Sequence, residues 1–77
     1  MQIKVLLFGE LAQLAGSAEL ILQDIDSTNN ANEMLKSKFP QIASKKYIIA
    51  LNKQIVKDSQ SLHDGDELAL LPPFSGG

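Results

Sequence analysis

Gly76-Gly77 is the place in this chain where the backbone, and not a side chain, could take part in chemistry. A carboxylate that follows two glycines has nothing around it. Neither residue has a Cβ, so a narrow channel can admit both, and each reaches backbone angles closed to other residues. A protein whose own last carboxyl group is the substrate of another enzyme is expected to end this way. A frayed end would read the same if the dipeptide stood alone. The residues before it, Leu71-Pro72-Pro73-Phe74-Ser75, add a stem. Proline fixes φ, and two in succession favour an extended, stiff segment. From Pro72 to Gly77 such a segment reaches at most about 20 Å, at roughly 3.3–3.6 Å per residue. That length can place a terminus inside another protein while a globular domain stays outside. The simpler role for Pro72-Pro73 is a strand stop, since neither residue can donate to a ladder.

The side chains offer little chemistry of their own. There is no cysteine, so no persulfide or thioester can form on a side chain and no thiolate metal site or disulfide exists. Any sulfur cargo would sit on the C-terminus. His63 is the sole histidine and has no ligand set around it, which makes it an exposed loop residue. Asp64, Asp66 and Glu67 lack the twelve-residue spacing of a calcium loop and suit a turn and a strand edge. No nucleophile, base and orienting group can be assembled, so no independent catalysis, no metal site and no bound cofactor is expected.

The formal charge is −2, and Lys45-Lys46 is the one adjacent pair of cations. Nucleic-acid binding needs clustered cations to displace counterions, so that class is excluded. No apolar run approaches the roughly 20 residues of a membrane span, and no basic segment precedes an apolar one as in a secretory signal. The expected compartment is the cytoplasm.

The 77 residues suffice for one domain with a thin core. Gln2 to Phe8 alternates, with Ile3, Val5 and Leu7 on one side and Lys4 and Leu6 on the other, which predicts a strand. Leu11, Ala12, Leu14 and Ala15 predict one or two helical turns ended by Gly16. Ala18 to Gln23 alternates again and is expected to form an antiparallel hairpin with the first strand. Asp26-Ser27 offers an N-cap. Ala31, Leu35, Phe39 and Ile42, spaced four, four and three apart, lie on one helical stripe, which predicts a helix from Thr28 to Phe39 ended by Pro40. Tyr47 to Leu51 is rich in β-formers and reads as a central strand. Asn52-Lys53 is a turn, Gln54-Ile55-Val56 a short return strand, Lys57 to Ser61 a polar loop, and Asp64-Gly65-Asp66 a tight turn. Glu67 to Leu71 is mostly apolar and reads as an internal strand. The expected fold is α+β in two layers, a mixed sheet of four to five strands with one main helix on one face. Residues 1–71 make the domain and residues 72–77 an extended, flexible tail.

This order resembles the β-grasp fold of ubiquitin-like proteins. The Asp64-Gly65-Asp66-Glu67 turn, the apolar strand and the ending Leu71-Pro72-Pro73-Phe74-Ser75-Gly76-Gly77 resemble the small subunit of molybdopterin synthase, as does the opening Ile3-Lys4-Val5-Leu6-Leu7-Phe8. The resemblance spans essentially the whole chain. It departs at Ala12, where that family often has an arginine, and at Phe74, where it usually has a small β-branched residue.

The resemblance implies a sulfur carrier. A ubiquitin-activating-type enzyme would use ATP and Mg to adenylate the Gly77 carboxylate, with Gly76 beside it, and a separate sulfur donor protein would convert the adenylate to a thiocarboxylate. The tail would enter the large catalytic subunit of molybdopterin synthase, in a heterotetramer, and pass sulfur to cyclic pyranopterin monophosphate to build the dithiolene. It also implies docking through Phe8, Leu62 and Leu71, to which Pro72, Pro73, Phe74 and Ser75 add the tail. The alternative for Phe8, Leu62 and Leu71 is burial in the core, the usual place of large apolar residues. Three other functions share these features: a sulfur carrier for thiazole (thiamine) or another thiolated product, a ubiquitin-like modifier joined to lysines, and a binding module whose tail is incidental.

Overall fold

Every second residue of Gln2–Leu7 is apolar and buried, and this alternation makes the segment strand β1. The computed structural model describes residues 1–73, and the tail residues Phe74, Ser75, Gly76 and Gly77 lie outside the described residues. After β1 come helix α1 (Glu10–Ala15), strand β2 (Glu19–Gln23), helix α2 (Thr28–Lys38), helix α3 (Pro40–Ala43), and strands β3 (Ile48–Leu51), β4 (Gln54–Val56) and β5 (Glu67–Leu71). The strands form one five-stranded sheet in the order β2-β1-β5-β3-β4. β1 runs parallel to β5, while the β1/β2, β3/β4 and β3/β5 pairs are antiparallel. This is the mixed sheet expected, and the hairpin of the first two strands forms as predicted.

Local chemistry sets the element ends. Gly16 takes the left-handed conformation (φ 77°, ψ 12°) that closes α1, where its N–H meets the Ala12 carbonyl at 2.9 Å. Ser27 caps α2 by accepting from the Asn30 N–H at 3.1 Å. That satisfies one of the donors the first turn leaves without a partner. Asn52 and Lys53 both have positive φ, 49° and 73°, the pattern of a tight hairpin turn matched to strand twist.

Two expectations are corrected. Ile42 does not extend the α2 stripe. Pro40 ends α2 and then serves as the first residue of α3, a position where its missing N–H costs nothing, and Ile42 enters the core from this second helix. The central strand is β5; β3 lies one place nearer the edge, between β5 and β4. A strand bonded on both sides, with helices over one face, favours the continuous apolar run Leu68-Ala69-Leu70-Leu71.

The core lies between the sheet and the helices. Ile3, Val5, Leu7, Leu22, Leu68 and Leu70 from the strands meet Leu11, Ala31, Leu35 and Ile42 from the three helices in one cluster. No buried side-chain polar atom lacks a hydrogen-bond partner among the described residues.

Candidate functional site: the sheet face beside the tail stem

Among the described residues, no helix covers the other face of the sheet. Side chains alternate across a strand, so with Ile3, Val5 and Leu7 in the core, Lys4, Leu6 and Phe8 face outward. The register places Ala69 beside Leu6, and both Ala50 beside Ala69 and Ile48 beside Leu71. Ile55 pairs with Ala50 at the β4 edge. The result is an apolar band from Phe8 through Leu71 and Ile48 to Ile55. Phe8 is 43% and Ile55 63% exposed, and Leu6, Ile48 and Leu71 are half-buried.

The stem leaves the domain at this band, and the reason is visible in the hydrogen bonds. The parallel β1/β5 ladder runs through Lys4 N–H to the Asp66 carbonyl (3.0 Å) and on to Phe8 N–H and the Leu70 carbonyl (3.1 Å). The next rung would run from the amide of residue 72 to the Phe8 carbonyl. Residue 72 is proline and has no N–H. The Phe8 carbonyl instead accepts from Leu11 N–H at 3.2 Å, in the first turn of α1. β1 turns into its helix while β5 departs as the stem. Pro72 is half-buried and Pro73 exposed.

At the opposite end of β5 the acidic turn is structural. Asp64 accepts from the Gln2 N–H through Oδ1 at 2.6 Å, and Gly65 at φ 87° makes the bend. Asp66 accepts from the Asn52 side-chain amide (3.1 Å) and from the His63 N–H (2.8 Å). The Asn52 hydrogen bond foremost, then that from His63, holds the Asp66 carboxyl below the usual carboxylate range. Asn52 also accepts from the Glu67 N–H at 3.0 Å, so the β3–β4 turn is pinned to the start of β5. His63 is an exposed loop residue, as expected, with its side chain 82% accessible. No group of three metal-ligating side chains gathers among the described residues.

Among the predicted docking residues, the structure brings Phe8, Leu71, Pro72 and Pro73 together and separates Leu62 from them. Leu62 is 4% exposed and belongs to the core cluster. Its N–H is held by the Asp26 carbonyl at 2.9 Å, just ahead of α2. A lone large apolar residue after a polar loop anchors that loop inward, which gives the more usual outcome for leucine. Phe74, Ser75, Gly76 and Gly77 fall outside the described residues. The sequence reading missed Ile48 and Ile55. Their signal was an apolar residue on each β3–β4 strand that the helix-side core does not need. Lys45 of the lysine pair is a surface residue, 3.0 Å from Glu10.

Comparison with known proteins follows the same boundaries. Residues 5–77 match the ThiS family, a span that includes the double proline and the diglycine. The molybdopterin synthase sulfur carrier subunit of Chlamydomonas reinhardtii is 37% identical over the full length of both chains. Among solved structures, SAMP1 from Haloferax volcanii superposes with a TM-score of 0.84 at 28% identity, covering all of both chains. A protein–protein complex of subunits 1 and 2 of the molybdopterin-converting factor from Helicobacter pylori contains a chain that matches with a TM-score of 0.76 at 26% identity, again over both full lengths. The fold is thus the ubiquitin-like β-grasp, and the chain belongs to the ThiS family.

Proposed function

We propose that this chain is the sulfur carrier subunit of a molybdopterin synthase. What supports the reading most is the full-length likeness to a molybdopterin synthase sulfur carrier subunit, running from the first strand through Gly77. The apolar face beside the stem fits it, because a carrier must dock while its end reaches elsewhere. Residues 1–71 are the docking body and residues 72–77 the delivery arm.

The chemistry follows from the carboxylate. In an activating enzyme of the ubiquitin type, a Gly77 carboxylate oxygen attacks the α-phosphorus of ATP, with Mg present, and displaces pyrophosphate. The acyl-adenylate is a far better electrophile than the carboxylate. A sulfide equivalent from a donor protein then displaces AMP and leaves a thiocarboxylate. The arm enters the large catalytic subunit, where the sulfur passes to cyclic pyranopterin monophosphate. The thiocarboxylate sulfur bonds to a substrate carbon as an oxygen leaves that carbon, water then cleaves the acyl–sulfur bond and restores the carboxylate, and two such transfers supply the dithiolene. The ATP-dependent step belongs in the cytoplasm. The two-subunit complex from Helicobacter pylori supports a large-subunit partner, and two copies of each subunit would make the heterotetramer.

The test is intact mass after incubation with the cognate activating enzyme, ATP, Mg and a sulfur donor. Exchange of one oxygen for sulfur at the C-terminus is expected. A chain that stays at its starting mass under conditions that convert a control carrier overturns the proposal. A second reading, a ubiquitin-like modifier, is favoured by the likeness to SAMP1. It predicts Gly77-dependent isopeptide ladders on other proteins in place of sulfur delivery.

A further inference from the structure

We infer that Gly9 is a positioning residue that sets the direction in which the tail leaves the domain, an inference that rests on the sulfur-carrier reading above. Gly9 follows the last rung of the β1/β5 ladder and takes φ 59°, ψ −136°. Residues with a side chain rarely adopt that conformation. A second observation shows what the missing side chain makes room for. A Cβ on Gly9 would lie 3.0 Å from Pro72 Cγ and 3.8 Å from Pro72 Cδ. The first residue of the stem therefore lies against a bare stretch of backbone. The contact involves only ring atoms of Pro72, and the ring is what fixes the stem's first dihedral angle.

The geometry makes a short lever. Pro72 cannot donate to the Phe8 carbonyl, so β1 offers no ladder bond after Leu70, and the pairing with β3 ends at Leu71 opposite Ile48. What remains to orient it is the packing of its ring on Gly9. A side chain at position 9 would push the ring by a few tenths of an ångström. A tilt of roughly 10° at the base would move the end of an extended tail by roughly 3 Å, given a reach of at most about 20 Å. Misplacement on that scale matters for a group that must meet a reacting partner, where about 1 Å can cost 100-fold.

The experiment compares Gly9→Ala, Pro72→Ala and the double variant. Alanine at 72 lacks both contacted atoms, so it removes the overlap and leaves the strain at position 9 in place; it also regains an N–H and frees φ, so the effect of Gly9→Ala is read within each residue-72 background. Thiocarboxylated carriers are titrated against the large subunit at a temperature where circular dichroism shows each fully folded. Gly9→Ala is expected to raise KM about tenfold with a smaller change in kcat, and in the Pro72→Ala background to change KM less than about twofold, the non-additivity of residues in contact. Partial unfolding would lower the active fraction without this dependence on residue 72. Equal losses in both backgrounds, or a Gly9→Ala carrier within twofold of wild type, overturn the inference.

Residual dipolar couplings of the Leu71 and Phe74 amides read the stem direction without any enzyme. They should change between wild type and Gly9→Ala, and stay the same between Pro72→Ala and the double variant. If the wild-type chain never accepts sulfur, the function fails, and these couplings still decide whether Gly9 aims the stem. If Gly9→Ala does not fold, the double variant must recover folding; failure in both backgrounds counts against the contact.

Discussion

The two faces of the sheet are built from the same strands and the same residue types, and they do different work. On the helix side, Ile3, Val5, Leu7, Leu68 and Leu70 are each at most 2% exposed. On the other side, one residue past the end of β1, Phe8 is 43% exposed, and Leu71 follows Leu70 half-buried. Fully burying a large apolar side chain stabilises a fold by about 1.5–3 kcal/mol. The helix side has drawn that stabilisation already. The open side retains it for whatever covers it, and the stem departs from its edge. An exposed apolar patch of this kind marks an interaction surface.

The sharpest way to break the comparison is to remove the end and leave both faces alone. Deleting Gly77 should abolish sulfur acceptance in the intact-mass assay while urea unfolding remains unchanged; residual acceptance would contradict the proposed chemistry. Next in size, Leu68→Ala should cost about 2–5 kcal/mol in urea unfolding, the range for a leucine with no room to relax. Phe8→Ala should cost less than about 1 kcal/mol of stability, yet weaken large-subunit binding by at least about tenfold in calorimetric titration, as a central aromatic anchor does. If Phe8→Ala destabilises as much as Leu68→Ala and binding is unaffected, the two faces do not differ as described. Ser27→Ala serves as a control away from both. Loss of its cap should cost about 1 kcal/mol with no change in docking.

The smallest effect concerns acid. Asp66 has a lowered carboxyl pKa in the folded protein. The unfolded chain therefore binds that proton more readily. The resulting stability is present above the ordinary carboxylate range and is lost as pH falls through the lowered value. Asp66→Asn should flatten the dependence of the urea midpoint on pH as pH falls through and below the ordinary carboxylate range. An unchanged slope would show that the Asn52 hydrogen bond does not set it.

Much of this was legible in the sequence because the signals were local. Alternation in β1, the Ser27 cap, Gly16 after α1 and the apolar run of β5 each follow from a few neighbouring residues, and all form as expected. Ile42 misled because its spacing continues a helical stripe through a proline, and periodicity does not register the break that Pro40 imposes. Leu62 stood open between docking and core, because resemblance carries a residue's role without its burial, and the structure places it in the core. Whether β3 or β5 lies at the centre depends on pairing between segments distant in sequence, which composition does not encode. The approach of Gly9 to Pro72 was beyond reach for the same reason. A glycine after a strand reads as a break, and only the fold reveals which residue comes to lie on it.

The placement of β5 has a consequence for biosynthesis. The hairpin of β1 and β2 and the hairpin of β3 and β4 share no hydrogen-bonded ladder; each meets the sheet only through residues 67–71. On the ribosome, a nascent chain that has not yet released this segment holds two unconnected half-sheets. Folding must wait until translation has passed it, so a partner that recognises the finished surface never engages a chain lacking the strand from which the delivery arm springs.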